Sequence, residues 1–96
     1  MADTAASEPL WAVRDRPFLE RRWDGEVVIF DGFSGATHHL NQATTRLWTI
    51  LRHGSAQSAT ALCDAANAGG GDWSAELIGN ALEELRRLEL VEPRLH

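Results

Sequence analysis

Between Trp23 and Leu51 the hydrophobic period of the chain changes from about two residues to about 3.6, and a turn signal marks each boundary. Asp24-Gly25 sits between two strand-like runs and is the preferred loop of a two-residue β-hairpin, because both loop residues must accept positive φ. Glu26 to Asp31 carries Val27, Val28, Ile29 and Phe30 in succession, a pattern expected of a strand covered on both faces and so of a middle strand. Asp31-Gly32-Phe33-Ser34-Gly35 turns the chain, Ala36 to Leu40 returns as a mixed-polarity strand, and Asn41 caps a helix. The returning strand is expected at an edge, where unpaired N–H and C=O groups are either a hazard to be covered or a template for another chain.

The rest of the chain extends this pattern. Residues 1–9 are small, polar and acidic and read as a disordered tail, leaving residues 10–93 as one domain. Leu10 to Arg14 alternates weakly, and Phe18 to Trp23 is the first strand of the meander, with Leu19, Arg21 and Trp23 on one face and Phe18, Glu20 and Arg22 on the other. The first helix carries Ala43, Leu47, Trp48, Ile50 and Leu51 on its apolar stripe, and Gly54 stands where a left-handed cap is expected. Ser58 opens a second helix with a small face of Ala61, Leu62, Ala65 and Ala66, which Gly69-Gly70-Gly71 ends. Asp72 or Ser74 caps a third, whose stripe is Leu77, Ile78, Ala81, Leu82, Leu85 and Leu88 and whose other face carries Glu76, Asn80, Glu83, Glu84 and Arg87. Leu90 and Val91 are expected to end the domain before Pro93. The fold class is then α+β and winged-helix-like: a three-stranded antiparallel sheet followed by three helices, all covering one sheet face.

Composition narrows the function. Ninety-six residues bury one modest core and no deep, separately lined cavity. All nine basic residues are arginine, against fourteen carboxylates, so the net charge of −5 disfavours a polyanionic partner such as nucleic acid. No apolar run approaches the roughly 20 residues that span a bilayer. A single cysteine, Cys63, and the lack of a signal-like start point to a cytoplasmic protein without disulfides or a membrane partner.

The runs Glu26 to Asp31, Ser34 to Asn41, Leu47-Trp48 with Leu51, and Ala81 to Glu92 resemble the PqqD family, in particular its peptide chaperones of the HPr-kinase-related system. The resemblance spans Leu10 to Pro93. It implies a recognition element for ribosomally made precursor peptides, in which the leader adds as a strand beside the third strand and packs against the third helix. Carried onto this chain, it makes the peptide-binding residues Ala36, Thr37, His38, His39 and Leu40 on the strand, with Asn80, Glu83, Glu84 and Arg87 on the helix. The implied partners are a leader peptide and a peptide-modifying or kinase-like enzyme. The free protein would be a monomer or an edge-paired homodimer.

Other constellations are weaker. His38 and His39 are adjacent on a strand and point to opposite faces, so they do not chelate one ion, and no CxxC or HExxH accompanies them. Cys63 has no activating neighbour in sequence, and the triple glycine lacks the Lys-Ser/Thr of a phosphate loop. Glu83 and Arg87 read as a stabilising i,i+4 pair. No cofactor, metal or catalytic set is expected, and the protein is not expected to be an enzyme. Two rivals share the fold: a winged-helix DNA-binding regulator, which the acidic third helix opposes, and a regulatory partner of a kinase-like protein.

Overall fold

The computed structural model describes residues 8–68 and 70–94. Its elements are β1 (Leu10–Val13), β2 (Phe18–Trp23), β3 (Glu26–Asp31), β4 (Thr37–Leu40), α1 (Gln42–Arg52), α2 (Ala59–Ala68), α3 (Ala75–Arg87) and β5 (Val91–Arg94). Of the tail expected over residues 1–9, residues 1–7 lie outside the described residues, as does Gly69 of the triple glycine, whereas Glu8 and Pro9 are half-buried and Glu8 Oε1 accepts from Thr60 N at 3.1 Å.

Asp24 and Gly25 take φ of 53° and 75°, the left-handed pair that a two-residue hairpin demands, and fix β2 against β3 with Phe18 opposite Asp31 and Trp23 opposite Glu26. Antiparallel β4 lies on the other side of β3, so the sheet order is β2-β3-β4 and the expected middle strand is the middle strand. Three helices follow, each helix start resting on a side-chain oxygen. Asn41 Oδ1 accepts from Thr44 N, Ser58 Oγ from Ala61 N and Ser74 Oγ from Leu77 N.

The middle strand is not covered on both faces. Val27, Ile29 and Asp31 point into the core, while Phe30 is exposed and Val28 half-buried on the opposite face. The expectation assumed layers on both sides of the sheet, and among the described residues only one side has a layer. Nor do three helices share that face: α1 lies against β3 and β4, and α2 and α3 pack on α1 instead. The core is accordingly centred on α1, where Leu47 and Trp48 are fully buried among Val27, Ile29, Leu40, Leu62, Leu82 and Leu85. Phe18 meets Trp48 edge to face at 5.3 Å and 81°.

Two other details differ from expectation. Gly54 does not occupy a left-handed cap; α1 ends on His53 with φ −103°, and Gly54 lies so close to Ile50 O that a Cβ would stand 2.9 Å from it. The glycine answers a close approach and not a φ requirement. Leu77 is 38% exposed at the first turn of α3, beyond the reach of the core, although it keeps the spacing of the buried stripe.

Past α3 the chain continues as a strand through Pro93. Glu89 takes φ 63° after α3, Glu89 N donates to Arg86 O and Leu90 N to Leu85 O, and this Schellman reversal drops Leu90 into the core and starts β5. β5 pairs with β1 antiparallel, Val13 opposite Val91 and Trp11 opposite Pro93. Arg14 N donates to Leu90 O, which by alternation turns the nitrogen of Pro93 toward the side of β5 where no strand pairs among the described residues, so no ladder donor is missed there. Along its other side, β1 exchanges hydrogen bonds with Gln57 through Trp11.

Candidate functional site

A β-sheet has two edges, and here they differ in chemistry. Asp31 N donates to Ala36 O at 2.8 Å, so alternation along the antiparallel ladder places His38 and Leu40 in bonded pairs with Ile29 and Val27. The N–H and C=O groups of Thr37 and His39 therefore face away from β3, along a side where no strand pairs among the described residues. On the opposite edge the hairpin makes Trp23 and Glu26 a bonded pair, which turns the backbone N–H and C=O groups of Phe18, Glu20 and Arg22 away from β3. That edge is guarded. Phe18 O accepts from Arg52 Nη2 at 3.2 Å, and beside it Glu20 and Arg22 form an ion pair at 3.0 Å that is tied to Trp48 and Thr49 of α1.

The β4 edge is held open by its neighbours. The side chain of His39 leans onto the outer sheet face, with Nε2 2.9 Å from Glu26 Oε1 and the ring 6.4 Å from Trp23, and so leaves its own backbone uncovered. His38 shares the core-facing side with Leu40, as the alternation requires. Ala36 precedes the strand proper by one residue.

Upstream, buried Asp31 organises the turn that delivers β4. Its carboxylate accepts from Phe33 N at 2.8 Å, Ser34 N at 3.3 Å, Ser34 Oγ at 3.0 Å and Arg16 Nη1 at 3.0 Å. Burial opposes its ionisation, but these donors outweigh burial and hold the carboxyl below the usual carboxylate range. Glu20 is lowered in the same way: burial works against it, and the Trp48 indole N–H at 2.6 Å, Arg22 and Arg52 prevail.

Where β4 runs into α1 a cleft of about 230 Å³ opens toward α3, lined by Asn41, Ala43, Thr44, Leu77, Asn80, Ala81 and Glu84. Of the helix residues expected to face a peptide, Asn80 and Glu84 are thus brought to the end of the edge strand. Arg87 reaches this set only through its ion pair with Glu84, and Glu83 turns away to pair with Arg86 at 2.9 Å. The expected Glu83–Arg87 pair is therefore not formed; both pairs that form have i,i+3 spacing. Sequence reasoning missed Leu77 and Ala43 as lining. The spacing of Leu77, Asn80, Ala81 and Glu84 follows the i, i+3, i+4, i+7 rule of one helix face, but it does not say which neighbour that face meets.

Among the described residues no group of three or more His, Cys, Asp or Glu side chains is placed to hold a metal ion. Cys63 is half-buried beside Asn67 Nδ2 and the Trp73 carbonyl, at 3.7 and 3.6 Å. No described helix is long and apolar enough to cross a membrane.

No protein-family model and no curated protein matches the chain. A solved structure of TbiB1 in complex with the TbiA(beta) leader peptide aligns with it at a TM-score of 0.65 and 22% identity, over 84% of this chain and 94% of that one. The two share a fold. The likeness to PqqD accordingly stands on the residues quoted above and not on a family match.

Proposed function

We propose that the protein is a non-catalytic peptide-binding module that captures the leader of a ribosomally made precursor peptide and presents it to a modifying enzyme. The observation that carries this reading is the open β4 edge at Thr37 and His39, which runs into a cleft floored by Leu77 and Ala81 and rimmed by Asn41, Asn80 and Glu84. A peptide laid beside β4 gains ladder hydrogen bonds whatever its sequence, and the cleft at the strand's end reads one of its side chains. TbiB1, the protein of like fold, holds a leader peptide in its solved complex, which supports the same use here. A DNA-binding role is disfavoured by Glu76, Glu83 and Glu84 on the exposed surface of α3.

The test is a chemical-shift titration of the labelled chain with candidate leader peptides. Perturbations at Thr37, His39, Leu77, Asn80 and Glu84 are expected. Shifts confined to α2 and the β1–β5 ribbon would reject the site.

A further inference from the structure

The meander has a second surface that the peptide site does not use. On the sheet face away from α1, Leu19 stands opposite Phe30, Arg21 opposite Val28 and Trp23 opposite Glu26. Leu19 is 69%, Trp23 51% and Phe30 41% exposed; among the described residues the other exposed large hydrophobics are Phe33 in the next turn and Leu77 in the cleft. A shallow depression of about 300 Å³ lies among Leu19, Arg21, Val28 and Phe30. Solvated sheet faces are ordinarily polar, and contiguous apolar patches on small proteins mark contact sites.

What covers this face follows from its charge and size. Arg21 sits at the middle of the β2 row, between Leu19 and Trp23, and has no ion-pair partner among the described residues. A two-fold axis through the middle of the face would set Arg21 against Arg21 of the copy, between two molecules that each carry a net charge of −5. Three strands of six residues or fewer present roughly 300 Å², well short of the ~800 Å² per partner of a stable interface. A strand added at β4 widens the same face, and its outward side chains continue the row of Thr37 and His39.

We propose that the face built by Leu19, Arg21, Trp23, Val28 and Phe30 docks the enzyme that acts on the bound peptide, through an apolar surface bearing a carboxylate opposite Arg21. The peptide strand completes this surface, so the enzyme reads module and peptide together. The inference rests on peptide capture at β4.

The experiment uses the full chain, a leader peptide shown beforehand to bind it, and each purified peptide-modifying enzyme encoded beside its gene, by calorimetric titration. One enzyme is expected to bind the parent chain at least about threefold more tightly when the peptide is present. Leu19→Glu and Phe30→Glu, both on solvent-facing positions and checked for fold by circular dichroism, should weaken the enzyme about tenfold while peptide affinity stays within about twofold. Arg21→Glu should do the same, and Arg21→Lys should restore most of the affinity. Enzyme binding unchanged in the glutamate variants, or no enzyme binding to the parent, overturns the proposal. A dimer in sedimentation that Leu19→Glu dissociates assigns the face to a second copy and overturns it as well. If no leader peptide binds the parent, the β4 reading fails first and this proposal falls with it.

Discussion

At the scale of single residues, two turn positions bear on the fold more than their place in the sequence would indicate. Asp31 satisfies four donors from one buried carboxylate, so the turn before β4 depends on its charge. Its pKa is depressed in the folded state; its contribution is therefore complete above the unfolded carboxylate value near 4 and is lost as pH falls through the lower folded value. Urea midpoints of the parent should drop steeply on acidification below about pH 4, whereas Asp31→Asn should start lower at neutral pH and lose less. Glu20 leaves a residual slope in both. Glu89 is the second case, an ordinary residue held at φ 63° where glycine is unstrained. Glu89→Gly is expected to raise stability by about 0.5–1 kcal/mol in chemical denaturation, since its exposed contact with Arg16, at 3.4 Å, contributes little.

Single elements give the sharpest test of the peptide site, because ladder alternation separates neighbouring positions of β4. His39→Pro removes an outward donor and leaves the bonded pairs with β3 intact, so the fold should survive with peptide affinity lost by about tenfold or more. His38→Pro strips a donor from the native ladder and should instead lower the thermal midpoint by several degrees, with cooperativity reduced. The opposite ranking would place the peptide elsewhere. Elements were also where the sequence was most legible. Asp24-Gly25, Asn41 and Ser74 each announce a boundary through backbone chemistry that tertiary context does not override, and the strand faces of β2 follow from period two alone. Coverage was not legible: Val27 to Phe30 reads as buried on both sides, yet nothing in the sequence states that Val28 and Phe30 lack a layer above them. Asn80 and Glu84 were placed by resemblance, whereas the lining role of Leu77 depends on how far α3 overhangs the end of β4, a tertiary fact.

On the scale of the whole molecule, the least visible feature is the ribbon that joins the two ends of the domain. β5 was hidden because Glu89 stands at the left-handed position in place of glycine and Pro93 argues against a strand, although at a free edge it costs no hydrogen bond. The ribbon brings Trp11, Leu90 and Val91 into the same core as α1 and α3, with Leu90 and Val91 both 0% exposed. Burying two such side chains contributes roughly 3–6 kcal/mol, against a total stability of roughly 5–14 kcal/mol for a chain of this length. Deleting residues 90–96 should therefore abolish cooperative unfolding, even though every residue of the β4 edge and the α3 cleft is retained. Leu90→Ala separates packing from pairing: it should cost about 2–5 kcal/mol while β1 and β5 stay paired, so unfolding remains cooperative at a lower denaturant midpoint. A truncated chain that still melts sharply would mean the meander and the helices hold the peptide site together on their own, with the ribbon an appendage.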